Sequence, residues 1–146
     1  MIGLLQRVSS ASVRVAGREA GVIGRGLLVL VGVQKDDGEA QAARLLERLL
    51  SYRVFPDDAG RMNLSVREVQ GGLLLVPQFT LAADTSSGTR PGFSTAAEPA
   101  RAEELFERLV RDARAAWPKT GAGEFGADMQ VQLINDGPVT FWLEVS

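Results

Sequence analysis

The sequence contains neither cysteine nor histidine. The first absence excludes disulfide staples, thiolate nucleophiles and cysteine-bound metal. The second excludes a Ser-His-Asp triad, an imidazole base and a histidine zinc site. Acid–base chemistry therefore falls to carboxylates, lysine, tyrosine, backbone groups, water or the substrate itself. Lysine is also scarce, Lys35 and Lys119 being the only two. No apolar run reaches the ~18 residues of a membrane helix. The opening MIGLLQRVSSASVRV has no basic leader, continuous apolar stretch or small-residue cleavage site, so a cytoplasmic protein with no membrane association is expected. Sixteen Lys and Arg against eighteen Asp and Glu leave a net charge of −2. That balance argues against coating nucleic acid through a large basic face, while a local contact with one RNA end stays open.

What is present describes a folded chain. The 146 residues predict one domain spanning 1–146. Apolar residues make up 45% and charged residues 23%, as in globular proteins. Ile2, Leu4 and Val8 suggest one strand, and Val13 and Val15 the next, with turns at Gly17 and Gly21. Leu27 to Val33 is a continuous apolar run, suited to a strand buried on both faces. Ala42, Leu45, Leu46, Leu49 and Leu50 then form one helical stripe within 37–52, with Asp36 or Asp37 as the expected cap. Leu73 to Phe79 reads as a central strand that ends or bulges at Pro77, because proline cannot donate to the ladder. Residues 82–98 show no period, and a loop of that length inside a domain is functional or disordered. Pro99 opens a second helix with the stripe Ala102, Leu105, Phe106, Leu109, Val110 and Ala113. Gly121, Gly123 and Gly126 mark a turn region, Met129, Val131 and Leu133 alternate as a strand, and a last strand runs from Val139 to Val145. The sum is an α+β fold: a small, mostly antiparallel, barrel-like sheet with two amphipathic helices packed against it.

Few stretches carry a chemical signal. Lys119-Thr120-Gly121 echoes the KTG element of penicillin-binding enzymes, but neither lysine follows a serine by three positions, so that chemistry is rejected. There is no phosphate-binding loop, dinucleotide fingerprint or serine elbow. Pro77-Gln78-Phe79-Thr80-Leu81 lies at the end of an apolar strand. Pattern alone favours a plain strand terminus with Phe79 in the core and Thr80 exposed. The functional alternative is a strand end whose freed N–H groups face a developing oxyanion. Asn135 to Thr140, NDGPVT, reads by its dipeptides as a hairpin turn. Gly137-Pro138 nevertheless presents two carbonyls on a rigid, unscreened segment, and the bond's isomer stays open. Arg7 reads first as an outward or paired charge and second as an anchor for a functional turn.

Together these stretches resemble the D-aminoacyl-tRNA deacylase family. The resemblance begins at MIGLLQRVSSASVRV, continues through GLLVLVGVQKDD and GRMNLSV, and includes QFTLAAD, RPGFS and ADMQVQLINDGPVTFWLEV. It implies a homodimer with the active site at the subunit interface, acting on the aminoacylated 3′ end of tRNA without cofactor or metal. The reaction it implies is hydrolysis of the ester joining a D-amino acid, or achiral glycine, to the terminal adenosine. Gly137 and Pro138 match the Gly-cis-Pro element that one subunit inserts into the other's pocket, where an L side chain would collide with its carbonyls. By the same resemblance, Arg7 helps to hold that element, and Met129 lines the adenosine pocket. Gln78, Phe79 and Thr80 match the catalytic strand end, whose backbone faces the scissile carbonyl while the ribose 2′-hydroxyl assists water. Pro77 stands where the family motif usually has serine. A related group with relaxed chirality, editing small L-amino acids, also has proline there but replaces Phe79 with alanine. The competing readings are that relaxed deacylase and a non-catalytic module that binds an RNA end.

Overall fold

A computed structural model describes the chain from Met1 to Ser146. The amino-terminal alternation runs as one strand, β1 (Ile2–Val15), rather than two. A tight turn with Gly17 at φ +81° leads into β2 (Arg18–Ile23), which contains Gly21 in its body and not at a turn. β3 (Gly26–Gly32) is followed by α1 (Glu39–Ser51), the short strands β4 (Phe55–Pro56) and β5 (Met62–Leu64), and then β6 (Gly72–Pro77). After a 3-10 turn (Phe79–Ala82) come α2 (Pro99–Ala116), β7 (Thr120–Ala122) and β8 (Met129–Glu144).

β1 remains continuous because it has partners along its whole length. β8 pairs with it from Ile2↔Glu144 to Val15↔Met129. Its opposite edge is shared, β3 covering Ile2 to Val8 and β2 covering Ala11 to Val15, all antiparallel. The far half of the sheet is parallel, which the sequence pattern does not announce: β3 with β6, and β6 with β7. Parallel neighbours need long crossovers, and the segments carrying α1 and α2 supply them. Gly21 of β2 lies against Ala122 of β7, so the sheet curls nearly shut as a barrel.

Alternation divides each buried strand between two cores. Leu27, Val29, Leu73 and Leu75 face the helices, joining Leu45, Leu49, Leu105 and Leu109 in a cluster of 26 buried residues. Leu28, Leu74 and Val76 turn inward, meeting Val8, Val13 and Ile23 inside the barrel. Both predicted helical stripes are the buried residues of α1 and α2. The expected Asp36 or Asp37 cap is not made. Gly38 holds the N-cap position, with its N–H donating to Gln41 Oε1 at 2.8 Å. Asp37 instead accepts the Met1 ammonium at 2.7 Å, a charge-assisted bond stronger than an ordinary cap. No helix is long and apolar enough to cross a membrane.

Candidate active site

β6 stops at Pro77, as its missing N–H predicts. One more ladder bond forms, from the Gln78 N–H to the Val31 carbonyl at 2.8 Å, and the chain then turns tightly. The first bond of that turn is Leu81 N–H to Gln78 carbonyl at 3.2 Å. The N–H groups of Phe79 and Thr80 lie ahead of it and have no acceptor within the turn. Phe79 is not in the core. It is 58% exposed and packs against Phe93 from the 82–98 loop, with ring centroids 5.3 Å apart. Thr80 is exposed as expected, and its hydroxyl accepts a hydrogen bond from the Gln78 amide.

A cleft of about 450 Å³ opens beside this strand end, lined by Val76, Pro77, Gln78 and Phe79, and by Phe125, Met129 and Val131 across from them. Its size is that of a small-molecule site, and its lining is mainly apolar. A larger cavity of about 690 Å³ lies between α2, β2 and β7, but it contains none of the strand-end residues and its Arg18 is paired with Glu124. On its other side Thr80 shares a groove with Asp84. Hydrogen bonds from the Ser86 side chain and backbone hold the Asp84 carboxyl below its ordinary range, which makes it a weak base at neutral pH. No three carboxylates gather into a metal-binding group.

The 82–98 loop is tied down rather than free. Lys35 N–H donates to Thr95 carbonyl at 3.0 Å, Ala97 N–H to Val33 carbonyl at 3.1 Å, and the Thr95 hydroxyl to Ala82 carbonyl at 2.6 Å. Asp84 and Gly92 exchange backbone bonds of 2.7 and 2.9 Å. These contacts deliver Phe93 to Phe79. The sequence does not single out Phe93 as a site residue, although its RPGFS segment carries part of the resemblance.

The NDGPVT stretch is a bulge and not the hairpin its dipeptides suggest. Asn135 stands opposite Val8 and Thr140 opposite Gln6, so Asp136, Gly137, Pro138 and Val139 face Arg7 alone. The strand resumes in the same direction, since β1 is long enough to pair on both sides. The Gly137–Pro138 bond is cis, Gly137 has φ +143°, and both residues are exposed. Arg7, its side chain only 12% exposed, donates from Nε to the Asp136 carbonyl at 3.0 Å and from Nη1 to the Val54 carbonyl at 2.7 Å. The guanidinium thus straps the bulge to the segment after α1 and pairs with the Asp136 carboxylate at 3.6 Å, a paired charge that also anchors the turn and not an outward one. Asn135, also missed because it reads as part of a turn, bonds across the base of the bulge to Val139 and Thr140.

Two groups therefore form within one chain. Pro77, Gln78, Phe79 and Met129 share the cleft, with Thr80 joined through Gln78. Arg7, Gly137 and Pro138 form the other and do not line that cleft. β8 pairs only with β1, and its residues include the exposed Val131, Ile134, Phe141 and Trp142.

A profile of the protein family described as D-Tyr-tRNA(Tyr) deacylase matches residues 4–144. A D-aminoacyl-tRNA deacylase of Alkalilimnicola ehrlichii is 66% identical over 144 residues, 99% of this chain and 96% of that one. One from Pseudomonas aeruginosa is 63% identical over 144 residues, with 99% of each chain covered. The solved structure of a c-Myc DNA unwinding element binding protein superposes with a TM-score of 0.95 at 36% identity, covering 100% of this chain and 99% of the other. A probable eukaryotic D-amino acid tRNA deacylase has a TM-score of 0.88 at 15% identity, covering 99% and 98%, a likeness of fold alone.

Proposed function

The chain belongs to the D-Tyr-tRNA(Tyr) deacylase family, as a hydrolase of the D-aminoacyl-tRNA ester, and from that premise we propose how its own residues act. The whole of 1–146 works as one domain, in the cytoplasm, proofreading the aminoacylated 3′ end of tRNA. The observation that carries the reading is the strand end at Pro77–Thr80, with two N–H groups ahead of the first turn bond and an apolar cleft alongside.

The terminal adenosine occupies the cleft against Met129. The ester carbonyl faces the Phe79 and Thr80 N–H groups. Water, assisted by the ribose 2′-hydroxyl, adds to that carbonyl. The resulting oxyanion takes the N–H bonds, and the C–O bond to the 3′ oxygen breaks, releasing the amino acid and tRNA. One such donor contributes about 10²–10³ in rate, so an already reactive ester needs no histidine or thiol. Gly137 and Pro138 of a second copy supply the chirality filter. Their carbonyls stand where an L side chain would lie, while D-amino acids and glycine pass. Two features support action across a homodimer: the bulge lies outside its own chain's cleft, and β8 has an unpaired edge with exposed apolar residues. A folded monomer that still discriminates D from L overturns that arrangement.

The direct test is hydrolysis of D-tyrosyl-tRNA and L-tyrosyl-tRNA by purified protein with chelator present. Loss of the D ester alone is expected, and protection of both esters overturns the reading in favour of an RNA-end binder. Pro77 gives a second reading, relaxed chirality toward small L-amino acids, and Phe79 weighs against it. Pro77→Ser is accordingly expected to change kcat/KM for the D ester by no more than about threefold, the scale of one surface hydrogen bond. A large shift in D-over-L preference in that variant favours the relaxed enzyme. Thr80→Val is expected to lower kcat/KM by about threefold through loss of the Gln78 contact. A fall of several orders of magnitude in folded protein would instead count against a merely positional hydroxyl.

A further inference from the structure

Asp136, Gly137, Pro138 and Val139 stand opposite Arg7 alone, so ladder bonds cannot hold the bulge. Arg7 grips it at Asp136, through the carbonyl at 3.0 Å and the carboxylate at 3.6 Å. Val139 is anchored in the core, while Gly137 and Pro138 stand exposed between these two points. Their restraint comes from Asn135, at the base. Its Oδ1 accepts the Val139 N–H at 2.8 Å, and its Nδ2 donates to Thr140 Oγ1, also at 2.8 Å. The residue before the bulge is thereby joined to the two residues where the strand resumes. Val139 is 7% exposed, so its N–H has little access to water as a substitute partner. A short amide suits the position because it carries an acceptor and a donor on one planar group.

We propose that Asn135 is a positioning residue that closes the neck of the bulge and thereby sets the height and direction of the Gly137 and Pro138 carbonyls. It tunes D-over-L selectivity without contacting substrate. The inference rests on the reading that these carbonyls form the chirality filter.

The test compares wild type, Asn135→Ala, Asn135→Asp and Thr140→Val on D-tyrosyl- and L-tyrosyl-tRNA, with melting temperatures measured alongside. Asn135→Ala is expected to lower the D-over-L ratio of kcat/KM by about tenfold, the effect of orphaning one sheltered N–H. A purely structural role would slow both esters equally and leave the ratio unchanged. Asn135→Asp is expected to rescue the ratio to within about threefold, because a carboxylate accepts both the Val139 N–H and a reoriented Thr140 hydroxyl. Thr140→Val severs one arm of the clamp and is expected to lower the ratio by about threefold, deciding the matter if Asn135→Ala does not fold. A wild-type ratio in folded Asn135→Ala, or in Thr140→Val where the alanine variant does not fold, overturns the proposal. A wild-type protein that shows no D preference overturns the filter reading itself, an outcome separable from failure of the clamp.

Discussion

Replacing Gly137 with alanine is expected to lower the D-over-L preference about a hundredfold while leaving the fold standing, since a displacement of about 1 Å at a positioned group costs on the order of 10² in rate. The new Cβ would lie 2.6 Å from Val139 Cγ2, 2.9 Å from the Val139 nitrogen and 3.4 Å from an Arg7 terminal nitrogen. Neither the strand nor the strapped guanidinium yields easily, so the carbonyls must move. The backbone also resists, because φ +143° is a region that L side chains rarely adopt. Strain of this kind costs about 1–3 kcal/mol, less than a typical domain stability of about 5–15 kcal/mol. Initial rates on the two tyrosyl esters, with circular dichroism on the same samples, test both halves. An unchanged ratio in folded protein would remove Gly137 from the filter.

Gly26→Ala is expected to fail at folding. A Cβ there would lie 2.0 Å from the Gly72 carbonyl oxygen and 2.7 Å from the Gly72 carbon and nitrogen. All three are backbone atoms, so no side-chain rotation relieves the clash. Gly26↔Gly72 is the first pair of the parallel β3–β6 ladder, and both strands contribute to both cores. Forcing them apart is expected to cost more than about 4 kcal/mol, the diagnostic end of single-substitution effects. Gly24→Ala, two positions earlier, supplies the control. Its Cβ meets nothing within 4 Å. That variant is expected to stay within about 1 kcal/mol of wild type, the sign favouring stabilisation where the backbone is compatible. Urea unfolding midpoints of the pair are the measurement. A Gly26→Ala protein as stable as its control contradicts the close approach of these strands.

The helices were legible because a single period governs them. Leu45 and Leu49, like Leu105 and Leu109, fall where 3.6 residues per turn puts them, and each is buried. β3 was legible for a similar reason, its apolar run being wanted on both faces. Failures occurred where a distant partner overrides a local signal. The interval between Val8 and Val13 suggests two strands, yet β8 pairs across that region and keeps β1 whole. The Thr120-Gly121-Ala122 stretch looks like a turn and becomes a strand because β6 pairs with it. Asp37 has the chemistry of a cap, but the Met1 ammonium at the start of β1 claims it. At the candidate site, Asn135-Asp136-Gly137 carries the same local signature in a hairpin as in a bulge. The length of β1 opposite decides between them. Phe79 is exposed for a comparable reason: Phe93, fourteen positions away, meets it at the surface.

The bulge sits inside a strand whose two ends are locked to the same neighbour, which makes β8 behave like a reading frame. Upstream, Met129 to Asn135 are phased against Val15 to Val8, and downstream, Thr140 to Glu144 against Gln6 to Ile2. Downstream phase decides which residues face the core, placing Leu143 and Val145 inside and Trp142 and Glu144 outside. Deleting one residue from the bulge leaves two outcomes. Either the segment shortens and draws Gly137 and Pro138 back toward β1, or the downstream strand slips and turns its core residues out to water. Beyond the demand for glycine at 137, the length of the bulge is itself spelled out by packing on either side.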